Sequence, residues 1–231
     1  MVSPLLSNGQ PGSIINTHRS PSLSQRAYEQ IKYKIVSLEL HPGSVIDESS
    51  LIEELQLGRT PIREALKRLS LEKLVTIAPR RGMFVTEIGI TDLQRLFEIR
   101  LVLEGQAARL AAIRGTRHHW REMEAVLNRL PEEARPLSNE ELIAMDEACH
   151  QIIYRAADNV FLGDTLNMLY ALSLRLWYYA LARVGDMEAA VLEHRYILQA
   201  LQQGKADQAA QLLERHIQTF QEEIQAAMLG K

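Results

Sequence analysis

Four polar side chains lie on the apolar faces of predicted helices in the second half of the chain. Asp146 and His150 are one helical turn apart, so both point where a hydrophobic core is expected. His194 and His216 lie on two later helices, each in line with apolar neighbours. Because burying an ionisable group is costly unless it is paired or ligated, one carboxylate and three inward-facing imidazoles form a candidate site for a divalent metal. Zinc, nickel, iron and manganese all accept these ligands.

The same residues also allow a structural interpretation. A single histidine on an apolar face is more often a hydrogen-bonded core residue than a ligand. The spacing within each helix does not show whether the three helices converge, so the residues alone leave both interpretations open. A metal-dependent enzyme is a further alternative, since a metal with an open position can activate water. The sequence shows no HExxH motif and no glycine-rich phosphate loop.

A second group of residues, all cationic, lies nearer the start of the chain. Arg59, Arg63 and Lys67 recur every four residues, which places them on one face of a helix whose opposite face is apolar. Thr60, followed by proline, predicts the start of this helix. A short helix at about 48–55 precedes it across a tight turn, and such a pair is typical of a helix-turn-helix that reads the DNA major groove. The alternative is an ordinary amphipathic helix with a solvated basic face.

The residues after this helix favour DNA binding. Residues 74–78 and 83–85 are β-prone runs on either side of a turn that ends in Gly82, and this pattern predicts a hairpin. Arg80 and Arg81 at its tip cannot pack in a core, so they are placed to meet phosphate or the minor groove. The sequence therefore predicts a winged helix-turn-helix.

Composition separates the two parts of the chain. The net charge of the 231 residues is −3, but basic residues outnumber acidic ones up to residue 90 and the reverse holds beyond it. The single Cys149 excludes an intrachain disulfide and fits a reducing compartment. Neither a membrane span nor a secretion signal is expected, because no apolar run is long enough and no charged leader precedes one. We therefore expect a cytoplasmic protein.

The chain is predicted to be mainly α, in three parts. Residues 1–20 form a flexible tail rich in Pro, Gly, Ser and Asn, 21–88 the winged helix-turn-helix, and 91–229 an all-helical bundle. Thr91 with Gln94 resembles a capping box that opens the bundle. Six helices are predicted there, at about 91–113, 117–129, 138–157, 159–183, 186–203 and 206–228.

The stretch that contains RTPIREALKRL resembles the DNA-binding domain of the GntR family of bacterial transcription regulators. The resemblance covers about 60 residues and implies that Arg59 and Arg63 reach base edges, and that Thr60 touches phosphate. It also implies that Gly82 lets the wing backbone approach the minor groove. Two departures from the family pattern stand out. Gly58 replaces a usual Ser or Thr, and Lys73 stands where a glycine usually ends the recognition helix.

The segment Thr91–Leu229 resembles the FCD domain, the helical effector-binding domain of the FadR subfamily. The resemblance is carried by DEACHQIIYRAADN, EHRYILQAL and LLERHI. In metal-binding members, an Asp, a His four residues later and two further His hold one metal. Asp146, His150, His194 and His216 fill these positions without substitution. The resemblance thus implies one divalent metal per chain, with zinc first and nickel, iron or manganese as alternatives, and it argues against a fatty-acyl effector.

Arg100 has two interpretations. Glu104 lies one turn away and could simply pair with it. The resemblance instead implies that Arg100 faces a cavity and grips the carboxylate of a small organic acid that also chelates the metal. Asn159 and Arg175 are weaker candidates for the same cavity wall.

The function implied by the resemblance is transcriptional regulation, most often repression, controlled by such an effector. An effector changes DNA affinity only through its differential binding to two arrangements of the protein. A homodimer is expected, because one recognition helix reads only a few base pairs of double-stranded DNA and a palindromic operator doubles the contacts. A direct metal sensor is the main alternative, and an enzyme is not expected.

Overall fold

The computed structural model describes residues 21–130, 137–180 and 187–229. The predicted tail, 1–20, lies outside the described residues, as do the ends predicted for two bundle helices within 181–186. In chain order the elements are α1 (Leu23–Val36), α2 (Glu48–Leu55), α3 (Arg59–Leu71), β1 (Val75–Ala78), β2 (Gly82–Val85), α4 (Ile90–Arg114), α5 (Arg117–Leu127), α6 (Asn139–Ala156), α7 (Val160–Ala180), α8 (Met187–Gln202) and α9 (Ala206–Leu229). The mainly α fold, with a winged helix-turn-helix followed by a helical bundle, is confirmed.

The packing of α1 against α3 holds the winged domain together. Their apolar faces meet in a core that fully buries Ile31, Ile35, Ile62, Leu66 and Leu69. Burying a side chain of this size contributes about 1.5 to 3 kcal/mol. This contact therefore fixes the angle at which α3 presents its basic outer face.

The starts of α2 and α3 differ in how they are capped. The carboxylate of Asp47 accepts a hydrogen bond from the backbone N–H of Ser49 at 2.9 Å, which satisfies one free donor of α2. By contrast, α3 begins at Arg59 after Gly58, which offers no side-chain cap. The predicted cap at Thr60 is therefore wrong, because Thr60 lies inside the first turn. The Thr60 side chain is exposed, and its hydroxyl does not cap the helix.

The end of α3 shows how the chain manages without a glycine. Lys73 adopts a φ of 64°, in the left-handed region that favours glycine. The next backbone N–H, from Leu74, donates to the Leu69 carbonyl at 3.0 Å and closes the helix end. The lysine backbone thus takes the conformation that the family pattern assigns to glycine.

The wing is a two-stranded antiparallel hairpin. Val75 pairs with Val85 at its base, and Ala78 pairs with Gly82 at its tip. Gly82 has a φ of 103°, a conformation that other residues rarely adopt, and open space surrounds it. The hairpin predicted from the β-prone runs is therefore present, with its arginines at the tip.

A single helix, α4, runs from the end of the wing segment through the bundle. It has 25 residues, which corresponds to a length of about 37 Å. Its N-cap is Gly89, without a side-chain hydrogen bond, so the capping box predicted at Thr91 and Gln94 is wrong. At Gly105 the helix lies so close to α9 that an added Cβ would be 2.0 Å from Oε1 of Glu214. The absence of a side chain there allows the close approach.

The rest of the bundle packs around α4 and α9. Three aromatic side chains in the core join α4, α7 and α9. The ring centroid of Phe220 lies 5.7 Å from that of Phe97 and 4.5 Å from that of Trp177.

Among the described helices, none combines the length and the apolar character that crossing a membrane requires.

Candidate metal centre

Three helices bring the four predicted ligands together. Helix α6 carries Asp146 and His150 one turn apart, α8 carries His194, and α9 carries His216. All four side chains are buried, and one candidate ligand atom from each lies within 4.8 Å of the others. We refer to these four residues as the metal cluster. The convergence that helical spacing left open is therefore present in the fold.

The carboxylate of Asp146 lies at the centre of the metal cluster. Its Oδ1 is 3.3 Å from Nε2 of His216 and 3.8 Å from Nε2 of His194. Its Oδ2 is 3.8 Å from Nε2 of His150. Neither Asp146 Oδ1 nor His194 Nε2 has a hydrogen-bond partner among the described residues. Buried polar atoms without partners are costly, and a divalent cation would satisfy both, so the donor set fits a metal.

A second layer of polar groups orients three of these ligands. Nδ1 of His150 donates to Oε2 of Glu104 at 2.6 Å, and Nδ1 of His216 donates to Oε2 of Glu193 at 2.8 Å. The Tyr170 hydroxyl donates to the carboxylate of the metal cluster at 2.7 Å. Carboxylates on the outer nitrogens fix the tautomer and turn each Nε2 towards the centre, as in many metal sites.

The metal cluster contains groups of different charge. Burial alone would raise the pKa of Asp146, but the charge of His150 and the close approach of His216, whose Nε2 lies 3.3 Å away, hold it well below its usual range. Burial would likewise lower the pKa of His216, but its contacts with Asp146 and Glu193 raise it to about 9. Burial and the charge of His216 lower the pKa of His194 to about 3. Metal binding would displace a proton from His216, since ligating imidazoles are neutral.

Arg100 lies beside the metal cluster, paired with Glu104 and next to a cavity. It is 2% exposed, and its Nε donates to Oε1 of Glu104 at 2.6 Å. Burial would raise the pKa of Glu104, but the charges of Arg100 and His150 lower it to about 2. Glu104 therefore links Arg100 to His150 in a buried network. Arg100 also lines the cavity next to the metal cluster.

That cavity is small. Its wall includes Arg100, Asp146, His150, Tyr170, Trp177 and His216. Its volume is about 20 Å³, which is close to the minimum for one water molecule. An organic acid therefore cannot enter unless some of these side chains move.

Two predicted effector contacts lie elsewhere. Asn159 is exposed, and its Oδ1 accepts a hydrogen bond from the backbone N–H of Leu162 at 3.2 Å, which caps the start of α7. Arg175 is buried, but it donates to the Thr86 carbonyl and lines a different cavity. The reason is helical geometry, because Leu174 faces the metal-cluster cavity and the next residue on α7 points about 100° away.

The residues predicted to contact DNA all lie on the surface. Arg59, Thr60, Arg63 and Lys67 occupy the exposed face of α3, and Arg80, Arg81 and Gly82 form the exposed tip of the wing. We refer to these seven residues as the recognition surface. Nε of Arg63 lies 2.7 Å from Oε2 of Glu48, so this arginine is held by an ion pair with α2.

Three residues of the outer layer were missed from sequence. The sequence pattern predicts no role for Tyr170 or Glu193, and for Glu104 it predicts only a pairing with Arg100. A signal was available for Glu104, because a carboxylate on the same helix face as Phe97 and Ala108 must find a buried partner. No signal identified the contact of Glu104 with His150, which joins residues 46 positions apart.

Family models match both parts of the chain. The model described as "FCD domain" matches residues 95–219, and the one described as "Bacterial regulatory proteins, gntR family" matches residues 23–85. The chain is 30% identical over 198 residues to the Nta operon transcriptional regulator of Aminobacter aminovorans, covering 84% of this chain and 91% of that protein. It is 27% identical over 214 residues to the HTH-type transcriptional repressor RspR of Escherichia coli, covering 91% and 93%.

Solved structures share the fold. E. coli McbR/YncC superimposes with a TM-score of 0.77 at 23% identity, covering 87% of this chain and 95% of that one. A metal-free FCD domain of another transcriptional regulator superimposes with a TM-score of 0.51 at 14% identity, covering 62% of this chain and 99% of that domain. At these identities the likeness concerns the fold alone.

Proposed function

The chain belongs to the GntR family of bacterial regulatory proteins that carry an FCD domain, and from this we propose that it is a metal-assisted carboxylate sensor that represses transcription. The domains and the relatives indicate a DNA-binding transcriptional regulator and not an enzyme. Repression, the carboxylate effector, the FadR-type assignment and the metal are our proposal. The repressor RspR among the relatives supports repression.

The convergence of the metal cluster is the observation that carries the proposal. Asp146, His150, His194 and His216 place four ligand atoms within 4.8 Å of one another in a buried site. Three imidazoles and one carboxylate suit zinc best, with nickel, iron or manganese as alternatives. A metal held this way would keep one or two positions for an oxygen ligand.

Arg100 is the proposed recognition residue for the effector carboxylate. Its planar fork can bind a carboxylate through two hydrogen bonds, but Glu104 already accepts from it at 2.6 Å. Because the cavity of about 20 Å³ does not admit an organic acid as it stands, effector binding must rearrange side chains around Arg100. This gives the effector different affinities for two arrangements, which allosteric control requires.

The recognition surface is the proposed DNA contact. The first turns of α3 would enter the major groove, with Arg59 and Arg63 at base edges and Thr60 and Lys67 at phosphates. The wing tip would meet the minor groove or phosphate. Arg63 must exchange its ion pair with Glu48 for DNA.

We propose a two-fold dimer as the DNA-binding form, because a palindromic operator then receives two recognition helices. Helix α4 supports this, since its outer side leaves Ile99, Val102 and Ile113 exposed, and a second copy would cover them. Analytical ultracentrifugation of wild type and Val102→Glu tests the assignment. A monomeric wild type would contradict it, and so would a variant that dimerises as strongly as wild type.

Elemental analysis of the purified protein tests the metal centre. We expect about one metal per chain in wild type and loss of that metal in His150→Ala. His118→Ala is the matched control, because His118 is exposed and far from the cluster in sequence. Full metal content in His150→Ala, or no metal in wild type, would refute the site.

A thermal-shift screen of small carboxylic acids, with and without a chelator, tests the effector. We expect an acid that raises Tm only when metal is present, and that also releases operator DNA in a gel-shift assay. Arg100→Met should abolish this response while keeping the metal. If chelation alone releases the operator and no acid has an effect, the protein is a direct metal sensor and the carboxylate part of the proposal is wrong.

A further inference from the structure

A second cavity lies where the winged domain meets the bundle. Its volume is about 320 Å³, far larger than that of the cavity beside the metal cluster. Its wall includes Lys73, Thr86, Leu96, Leu172, Arg175 and Leu176, which come from the turn after α3, the segment after β2, the first turns of α4 and the second half of α7. None of its residues lines the cavity of the metal cluster.

Arg175 is the unusual residue in this wall. It is 2% exposed, yet its only hydrogen bond among the described residues is from one terminal nitrogen to the Thr86 carbonyl, at 2.5 Å. Its Nε has no partner there. Burial lowers the pKa of Arg175 to about 10, and no neighbouring carboxylate offsets this effect. A guanidinium carries five donors, so most of its capacity for an anion is unused.

Arg100 and Arg175, the two buried arginines among the described residues of the bundle, differ in their partners. Arg100 is paired with Glu104, as buried charges normally are. No ion pair is found for Arg175 among the described residues, and its one acceptor is uncharged. A buried cation beside a cavity, without an anion of its own, is a binding element for an anion from outside.

The rest of the wall narrows the class of anion. Leu96, Leu172 and Leu176 form an apolar surface beside the guanidinium. Glu87 and Asp92 also line the cavity but are exposed, which places their carboxylates at its mouth. With the exposed Lys73 they give the mouth a net charge of −1, which disfavours an anion with two or more charges, such as phosphate.

We propose that this cavity binds a small monocarboxylic acid, whose carboxylate pairs with Arg175 and whose apolar body packs on Leu96, Leu172 and Leu176. The site is independent of the metal. A carboxylate there competes with the Thr86 carbonyl for the guanidinium. Thr86 directly follows the wing, and its backbone N–H donates to the Leu74 carbonyl at 3.1 Å, so the ligand acts at the contact between the two domains.

Titration calorimetry with hexanoate tests the proposal on the full-length, chelator-treated protein, in which no metal can recruit a carboxylate. Hexanoate should bind, whereas hexanamide, of the same shape but uncharged, and inorganic phosphate should not. Absence of hexanoate binding at millimolar concentration would overturn the proposal, and so would equal binding of hexanamide.

Two variants locate the bound hexanoate. Arg175→Met should weaken its binding at least about tenfold, because loss of a charge-assisted pair costs more than 1.4 kcal/mol. Arg195→Met is the matched control and should bind hexanoate as wild type does, since Arg195 also donates to a backbone carbonyl, that of Leu127, but is exposed. Binding that survives unchanged in Arg175→Met, or that weakens equally in Arg195→Met, would overturn the proposal.

Discussion

The recognition surface and the metal cluster both gather charged side chains, but in opposite surroundings. Arg59, Arg63 and Lys67 are exposed and keep their hydration, so the loss of any one of them leaves no fully buried group without a partner. In the metal cluster, Asp146 lies within 3.8 Å of His194 and every member is buried, so each group depends on the rest. The first region should therefore lose binding and keep its stability when a residue is removed, and the second should lose both.

Asp146→Ala should have the largest effect. It removes the carboxylate at the centre of the metal cluster and leaves three imidazoles facing one another. We expect loss of the metal and a fall in the free energy of unfolding by about 3 to 5 kcal/mol, as for other broken buried pairs. Urea unfolding with elemental analysis measures both. Asp164→Ala, which removes an exposed carboxylate on α7, should change neither, and equal stability of the two variants would contradict the contrast.

Glu104→Gln should come next, because it leaves Arg100 buried without its anion. We expect a loss of stability of about 3 kcal/mol at neutral pH. A double-mutant cycle with Arg100→Met sharpens the comparison, since removing both charges should cost less than the sum of the single changes. Additive losses would show that the pair is not coupled.

The lowered pKa of Glu104 makes the stability of the protein depend on pH. The folded state lowers the pKa of Glu104 from 4.5 to about 2, so its contribution is present above pH 4.5 and is lost as pH falls towards 2. Wild type should therefore lose more stability than Glu104→Gln over this interval. The free energy of unfolding of both proteins is measured by circular dichroism across this pH interval. Equal losses in the two proteins would contradict the prediction.

Arg63→Ala tests the other side of the comparison. Losing a base contact costs about 1 to 3 kcal/mol, and a two-fold dimer loses it twice, so the specific operator complex should disappear in a gel-shift assay. Stability should change by less than about 0.5 kcal/mol, because the ion pair of Arg63 with Glu48 is on the surface. Wild-type affinity would refute the role given to α3.

Arg81→Ala should have the smallest effect. Losing a wing-tip contact with phosphate weakens binding to all sequences alike and reduces the salt slope of the affinity by about 1 per subunit, or about 2 for a two-fold dimer. Fluorescence anisotropy at several salt concentrations, on operator and unrelated DNA, measures this. A loss confined to the operator would instead indicate that Arg81 reads bases.

The two regions also differ in how far sequence could predict them. The basic face of α3 and the arginines of the wing follow from local spacing, and the helix ends predicted at about 113 and 203 lie within one residue of the observed ends at Arg114 and Gln202. Local errors remained at helix starts. Thr60 and Thr91 were assigned as caps, but α3 and α4 each start after a glycine, because packing and not capping sets these positions.

The metal cluster needed information that no local pattern holds. The pairing of Asp146 with His150 is local, since one turn separates them, but His194 and His216 join them only through the packing of α8 and α9. Arg175 shows most clearly what the sequence pattern cannot predict. Its charge on an apolar helix was visible in the sequence, but a rotation of about 100° per residue decides which cavity it faces.

Helix α4 can act as a mechanical lever between the two regions. It is uninterrupted from the wing segment to its end, and at Gly105 it lies directly against Glu214 of α9, so this contact can serve as the pivot. The arm from there to its first residue is about 22 Å at 1.5 Å per residue, so a tilt of about 5° would move the wing end by about 2 Å. Arg100 and Glu104 lie close to Gly105, where a small displacement of α4 produces a large movement of its first residue. A side-chain rearrangement in a cavity the size of one water molecule could thus reach the DNA as a shift of the whole wing.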